Sequence, residues 1–201
     1  MKIAVASKNA HKVKELGKML DIEGLELVCL KELGFEGEIE ENGSTFEENA
    51  LIKAREVCRL YGLPTIADDS GLCVDFLSGA PGIYSARYAS TDGHNATDKE
   101  NVEKLLFELK GVPQEKRTAY FVSAIALVLP DGTEKCVTGK CMGFITDKVC
   151  GAGGFGYDPV FYFPAYERTF GETTEEEKNK VSHRANAIKM LKSELLEIFN
   201  V

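Results

Sequence analysis

The sequence predicts an α/β fold: an elongated mixed β-sheet with flanking helices, arranged as two lobes around a central cleft. Three observations carry that expectation. Short apolar strands alternate with amphipathic helices at both ends of the chain. Between them, two long apolar runs flank Pro130-Asp131-Gly132, an antiparallel hairpin signal, so the sheet mixes strand directions. Finally, 201 residues are enough to bury a core without disulfide or metal staples, and a single domain over residues 1–201 is expected.

Taken in order, residues 2–6 read as a short strand and Ser7-Lys8-Asn9 as polar turn material. Val13, Leu16, Met19 and Leu20 then form the stripe of a helix. A second strand is expected over residues 25–29. Four glutamates fall within residues 36–41, the composition of a solvated loop. Thr45 with Glu48 three positions on has the form of a capping box. Behind it Phe46, Ala50, Ala54, Val57, Cys58 and Tyr61 share one helical face, and Gly62 stops the helix. Residues 65–67 predict a short buried strand running into Asp68-Asp69-Ser70-Gly71. Residues 79–93 read as loop and 98–109 as an amphipathic helix. The hairpin strands are expected over 119–129 and 133–145. Four glycines within residues 151–156 exclude regular structure there. A final strand over 159–163 and a final helix over 182–199 complete the reading.

Asp and Glu number 32 against 24 Lys and Arg, a net charge of −8. Affinity for polynucleotides comes mostly from cations that displace phosphate counterions, so this balance argues against nucleic acid and against a membrane surface. The first residues hold too short an apolar stretch for a signal peptide, and the run 119–129 is broken by Ser123, well short of the ~20 residues of a membrane span. Six cysteines form no Cys-x-x-Cys pair, which fits reduced thiols in a cytoplasmic protein.

Four stretches carry the chemistry. Residues 7–12 put Ser7, Asn9 and Lys12 at a strand-to-helix turn, where free N–H groups and the helix dipole favour an anion; an ordinary capped helix is the plainer alternative. Asp68 and Asp69 follow a buried strand. Adjacent strand residues face opposite ways, so one aspartate serves the local structure, or an Asx-turn, while the other faces a ligand; their hard oxygens suit Mg²⁺. Gly153-Gly154-Phe155-Gly156-Tyr157-Asp158 combines close backbone approach with aromatics that stack on a planar base, or else forms a glycine-rich turn on core aromatics. Lys178, then Ser182-His183-Arg184, put cations at a helix start, where the dipole does not favour them.

Together and in this order these stretches resemble the inosine triphosphate pyrophosphatase family. ADDSGL, APGIYSARY, GFGYDP and SHR carry the resemblance, and the family's Ser/Thr-x-Asn-x-x-Lys opening fits Ser7, Asn9 and Lys12. The matching stretches span residues 6–191. The resemblance implies a Mg²⁺-dependent homodimer that cleaves non-canonical purine nucleoside triphosphates to monophosphate and pyrophosphate. Ser7, Lys8, Asn9, Ala10, His11 and Lys12, with Lys53, would hold the triphosphate. Glu40 and Asp69 would bind Mg²⁺; Glu41 is adjacent, and the choice between the two glutamates rests on the family pattern alone. Asp69 would also accept the proton of the attacking water. Ser70 would touch substrate, and Phe155, Gly156, Tyr157, Asp158, Lys178, His183 and Arg184 would hold base and sugar. A donor such as Arg184 would find the 6-oxo group of inosine and be left unpaired by adenosine, a difference of roughly 1–3 kcal/mol. Two rivals stand beside this reading: a phosphatase with Asp68 or Asp69 as covalent nucleophile, and a nucleotide binder without turnover.

Overall fold

The computed structural model describes residues 1–91 and 93–199; the side chains of residues 10, 11 and 14 are also outside the description. Seven strands form one mixed sheet: β1 (Lys2–Val5), β2 (Glu26–Cys29), β3 (Thr65–Val74), β4 (Thr118–Val128), β5 (Glu134–Ile145), β6 (Phe161–Phe163) and β7 (Arg168–Thr169). Their order across the sheet is β2-β1-β3-β4-β5-β6-β7. β1 runs parallel to β2 and β3, with Ala4 opposite Val28 and Thr65, whereas β5, β6 and β7 pair antiparallel. Among the described residues the α-helices are α1 (Ala10–Leu20), α2 (Phe46–Tyr61), α3 (Asp98–Glu108), α4 (Glu175–Val181) and α5 (His183–Phe199), with short 3-10 turns between elements.

The chain divides into two compact units. One holds Met1–Asp69, Ser123–Gly139 and the chain from Arg184; the other holds Ser70–Val122 and Lys140–His183. In the first unit the two faces of the sheet have different residues. Ile3, Val5, Ile66, Ile125, Leu127 and Leu129 pack with Leu16 and Leu20 of α1 and Ile188, Leu191 and Leu195 of α5. The opposite face is built from Ala4, Ala6, Ala67, Ala124 and Ala126, packed with Ala50, Ala54 and Val57 of α2. Alternation along each strand separates the branched set from the alanine set. Small residues on both sides bring α2 close to the sheet. Ala124→Leu, a fully buried position on that face, is expected to lower stability by about 1–3 kcal/mol through overpacking, read as a lower urea midpoint at unchanged slope.

α2 starts at Thr45, whose hydroxyl accepts the Glu48 N–H at 3.1 Å, and stops at Gly62 with φ of 62°. The expected capping box is half formed: the Glu48 carboxylate turns back to Ser44, accepting its N–H at 2.6 Å and its hydroxyl at 2.7 Å.

In the second unit Leu72, Val74, Phe121, Ile145 and Phe161 pack with Val102 and Leu105 of α3 and with Leu109, which follows it. Phe161 sits between Phe121 and Phe170, with ring centroids 4.5 and 5.2 Å away. Gly143 makes room for it, since a Cβ there would stand 2.6 Å from the Phe161 ring.

The hairpin strands, β1, β2, β6 and the three longer expected helices fall where the sequence places them, within two residues, whereas the edge strand β7 was not expected. Three expectations need correction. β3 does not end at residue 67 but continues through both aspartates to Val74. Residues 79–93 hold a 3-10 helix, Gly82–Arg87, inside the expected loop. The short helix α4 was not expected at all. All six cysteines are free thiols, and no helix among the described residues is long and apolar enough to cross a membrane.

Candidate active site

Each unit holds a group of interconnected polar side chains that is largely buried. In the first unit, β3 delivers Asp68 and Asp69 to opposite faces of the sheet, and each meets different helices. Asp68 shares its face with Ile66. Its Oδ2 accepts Arg184 Nε at 3.1 Å and lies 3.2 Å from Lys12 Nζ, and its Oδ1 accepts the Ser123 hydroxyl at 2.7 Å. Arg184 is 2% exposed and also donates through Nη1 to Glu15 of α1. Asp69 shares its face with Ala67 and meets α2. Lys53 Nζ donates to its Oδ1 at 2.9 Å and Asn49 Nδ2 to its Oδ2 at 3.4 Å. Lys53 also donates to the Asp68 carbonyl at 3.1 Å and lies 3.2 Å from Glu41 Oε1.

These surroundings separate two neighbouring carboxyl groups. Burial pushes Asp68 up, but Lys12, Arg184, the Ser123 hydroxyl and Lys53 outweigh it and hold the group far below the usual carboxylate range. For Asp69 burial wins over the opposing charges of Lys53 and Lys12, and the carboxyl rises above its ordinary value. Paired titratable groups pushed apart in this way take different chemical roles. Burial lowers Lys12 despite Asp68, whereas for Lys53 the pull of Asp69 and Glu41 exceeds the cost of burial and raises it.

The turn before α1 is built from its own polar residues. Ser7 Oγ accepts the Asn9 N–H at 3.0 Å, and Asn9 Oδ1 caps the helix by accepting the Lys12 N–H at 3.2 Å. Lys8 is exposed, 6.0 Å from the Phe35 ring centre. The side chains of Ala10 and His11 lie outside the described residues. Glu40 is exposed, and its neighbour Glu41 is the glutamate that reaches Lys53. Ser70 is half-buried in β3.

In the second unit Phe155, Gly156, Tyr157, Asp158 and Lys178 come together. Asp158, 1% exposed, accepts the Phe155 N–H at 2.9 Å and Lys178 Nζ at 2.6 Å through the same oxygen. Lys178 Nζ stands 4.3 Å from the Phe155 ring centre, a cation–π distance. The Tyr157 hydroxyl donates to the Ser85 carbonyl at 2.8 Å, and the Gly156 N–H donates to Asp98 at 2.6 Å. Gly154 has φ of +73°, and a Cβ there would come within 2.1 Å of the Asp158 carboxylate, so this turn requires glycine. His183 is buried and stacks on Phe121 with centroids 4.8 Å apart.

Arg184 was expected beside His183 as a reader of the base. In the structure its guanidinium meets Asp68 and Glu15, two buried carboxylates whose charges hold it. Sequence reasoning also missed Glu15, Asn49, Ser123 and Asp98. Ser123 had a visible signal, as a serine interrupting a long apolar strand. Glu15 and Asn49 each stand beside an apolar helical stripe, where a polar side chain is easily taken for a solvated one.

Among the described residues no three His, Cys, Asp or Glu side chains gather as a ready metal cluster. Mg²⁺ does not need one, because it is held by one or two carboxylates with water and substrate phosphates completing its shell. Asp69 and Glu41 already converge on one cation, the Lys53 ammonium, and their hard oxygens fit a divalent ion. The charge count agrees: Lys12, Lys53 and Arg184 face Asp68, Asp69, Glu15 and Glu41, so a polyanionic ligand meets no net positive charge in this group without one.

The comparisons with known proteins agree with one another. The profile of the Ham1 family matches residues 3–194. A dITP/XTP pyrophosphatase of Bacillus subtilis (strain 168) is 48% identical over 193 residues, covering 96% of each chain. That of Yersinia pseudotuberculosis is 51% identical over 192 residues, covering 94% of this chain and 95% of its own. Among solved structures, a Ham1 protein from Coxiella burnetii superposes with a TM-score of 0.88 at 40% identity, covering 98% of this chain and 99% of that one. The Ham1 protein of Staphylococcus aureus gives 0.87 at 39% identity, covering 97% and 98%.

Proposed function

The chain belongs to the Ham1 family, and from that membership we propose that it hydrolyses the non-canonical purine nucleoside triphosphates ITP, dITP and XTP to the monophosphate and pyrophosphate. The observation that carries this reading is the division of labour at Asp68 and Asp69. One carboxylate is locked among three donors, and the other is presented between Lys53 and Asn49.

In this reading Ser7, Lys8, Asn9, Ala10, His11 and Lys12 hold the triphosphate, with Lys12 and Lys53 supplying cations. Asp69, with the Glu40–Glu41 pair, of which Glu41 already reaches Lys53, holds a Mg²⁺ ion. When bound, that ion supplies positive charge to the phosphate oxygens. Asp69 orients the attacking water and takes its proton, so that the oxygen displaces pyrophosphate at the α-phosphorus. Ser70, next along β3, touches substrate. Phe155 offers its ring to the base, and the turn of Gly156, Tyr157 and Asp158 shapes that side. An ammonium has three donors and Asp158 takes one of Lys178's, so another is available to a 6-oxo group. Adenine, with a 6-amino donor there, gives that ammonium no acceptor. His183 supports the aromatic side through Phe121. Arg184 is reassigned from the base to the Asp68 network. The same reading takes the protein as a cytoplasmic homodimer; sedimentation of the purified protein at the mass of two chains is the expected result for the dimer.

The deciding assay is ITP with Mg²⁺, with and without added inorganic pyrophosphatase, reading phosphate. Phosphate that appears only with the added enzyme identifies pyrophosphate as product. Phosphate without it identifies the phosphatase rival, and none in either arm identifies a binder. Chelation with EDTA is expected to cut turnover by at least about 100-fold, with Mg²⁺ restoring it, since such an ion contributes several kcal/mol of charge stabilisation.

A further inference from the structure

We propose that Asn49 is a positioning residue for Asp69, a single amide that ties the acidic segment before α2 to the carboxylate; this rests on the assignment of Asp69 as proton acceptor. Asn49 is 1% exposed, one turn before Lys53 on the same face of α2. Asn is a poor helix former, and buried among alanines its amide must find partners. It has two. The Gly43 N–H donates to Oδ1 at 2.8 Å, and Nδ2 points at Asp69 Oδ2 at 3.4 Å.

The first bond settles the orientation of the amide. A backbone N–H needs an acceptor, so the oxygen faces Gly43 and the NH₂ group faces the carboxylate. Lys53 Nζ holds the other carboxylate oxygen at 2.9 Å, so residues four apart on one helix grip both oxygens of Asp69. Gly43 lies flat against the amide: a Cβ there would stand 2.7 Å from Asn49 Oδ1 and 2.8 Å from Glu48 Cβ. Asn49 therefore sets the Asp69 carboxylate and the backbone two residues beyond Glu41 in one fixed relation.

The test compares Asn49→Asp and Asn49→Ala with the wild type, measuring kcat and KM for ITP with Mg²⁺, thermal unfolding, and hydrogen exchange at the Gly43 amide. Asn49→Asp keeps an oxygen for Gly43 but turns an acceptor toward Asp69. Its kcat is expected to fall on the order of 10- to 100-fold, with KM within about threefold and Gly43 exchange unchanged. Asn49→Ala removes both bonds, so kcat falls and Gly43 exchanges faster in a protein that still folds, because Ala favours helix. A purely structural Asn49 predicts instead a near-native Asn49→Asp. Wild-type kcat in Asn49→Asp, or in Asn49→Ala should the charged variant fail to fold, overturns the proposal. A wild-type protein that releases no pyrophosphate from ITP overturns the proposed function, and this assignment with it.

Discussion

Asp69→Asn abolishes pyrophosphate release from ITP, with a fall in kcat of at least about 100-fold, the scale of a lost general base. The substitution keeps the size of the side chain, but an amide cannot take a proton from water and carries no charge for a cation. Two donors, Lys53 and Asn49, now face the oxygens of Asp69, and one of them would meet the NH₂ group of an asparagine. A stability loss of about 1 kcal/mol accompanies the change, small beside the kinetic effect. Asp68→Asn behaves differently. Removing its charge leaves Arg184 and Lys12 buried beside a neutral group, so the loss appears in unfolding, on the order of 3–5 kcal/mol. Steady-state kinetics and urea unfolding of both variants check the split. Near-native turnover in Asp69→Asn, or matching profiles for the two variants, would defeat the assignment of roles.

The opposite facing of Asp68 and Asp69 was legible in the sequence, because two adjacent aspartates directly after a strand are expected to alternate. The hairpin was legible for a similar reason: long apolar runs around Pro130-Asp131-Gly132 leave little else to form. The continuation of β3 through Asp68-Asp69-Ser70-Gly71 was not legible. A polar tetrapeptide reads as a turn until helices bring Lys12, Lys53, Asn49 and Arg184 to satisfy it. α4 did leave a signal, since Thr174 with Glu177 forms a complete capping box, but its seven residues carry no apolar stripe. Glu41 rather than Glu40 at Lys53 depends on the path of an irregular segment, which no periodicity describes. Arg184 lies 116 residues from Asp68, and spacing along a chain holds no information about a pair that only folding makes. The dipole argument flagged Arg184 as unusual and could not say which partner it was for.

Arg184→Ala lowers unfolding free energy by about 3–5 kcal/mol, the cost of breaking a buried ion pair from one side. In a chain of this length that corresponds to a fall in Tm of roughly 6–20 °C. The guanidinium is 2% exposed and serves two carboxylates, so its removal leaves Glu15 without the only ion-pair partner described for it and Asp68 with Lys12 in direct contact and Lys53 further off. Arg184→Lys recovers part of the loss, because one ammonium replaces the charge but not the planar fork that spans both acids. The kinetics separate the two places this side chain has been assigned. Held by Asp68 and Glu15, Arg184 orders the group that carries Lys12, so its loss weakens kcat/KM for ITP and ATP together and leaves their ratio within about threefold, well under the ~5- to 150-fold of a lost base contact. If the guanidinium leaves its carboxylates to meet a 6-oxo group, ITP alone suffers and the ratio collapses toward one. Measuring both nucleotides on Arg184→Ala below its lowered Tm decides between them, and a selective loss for ITP would return Arg184 to the base.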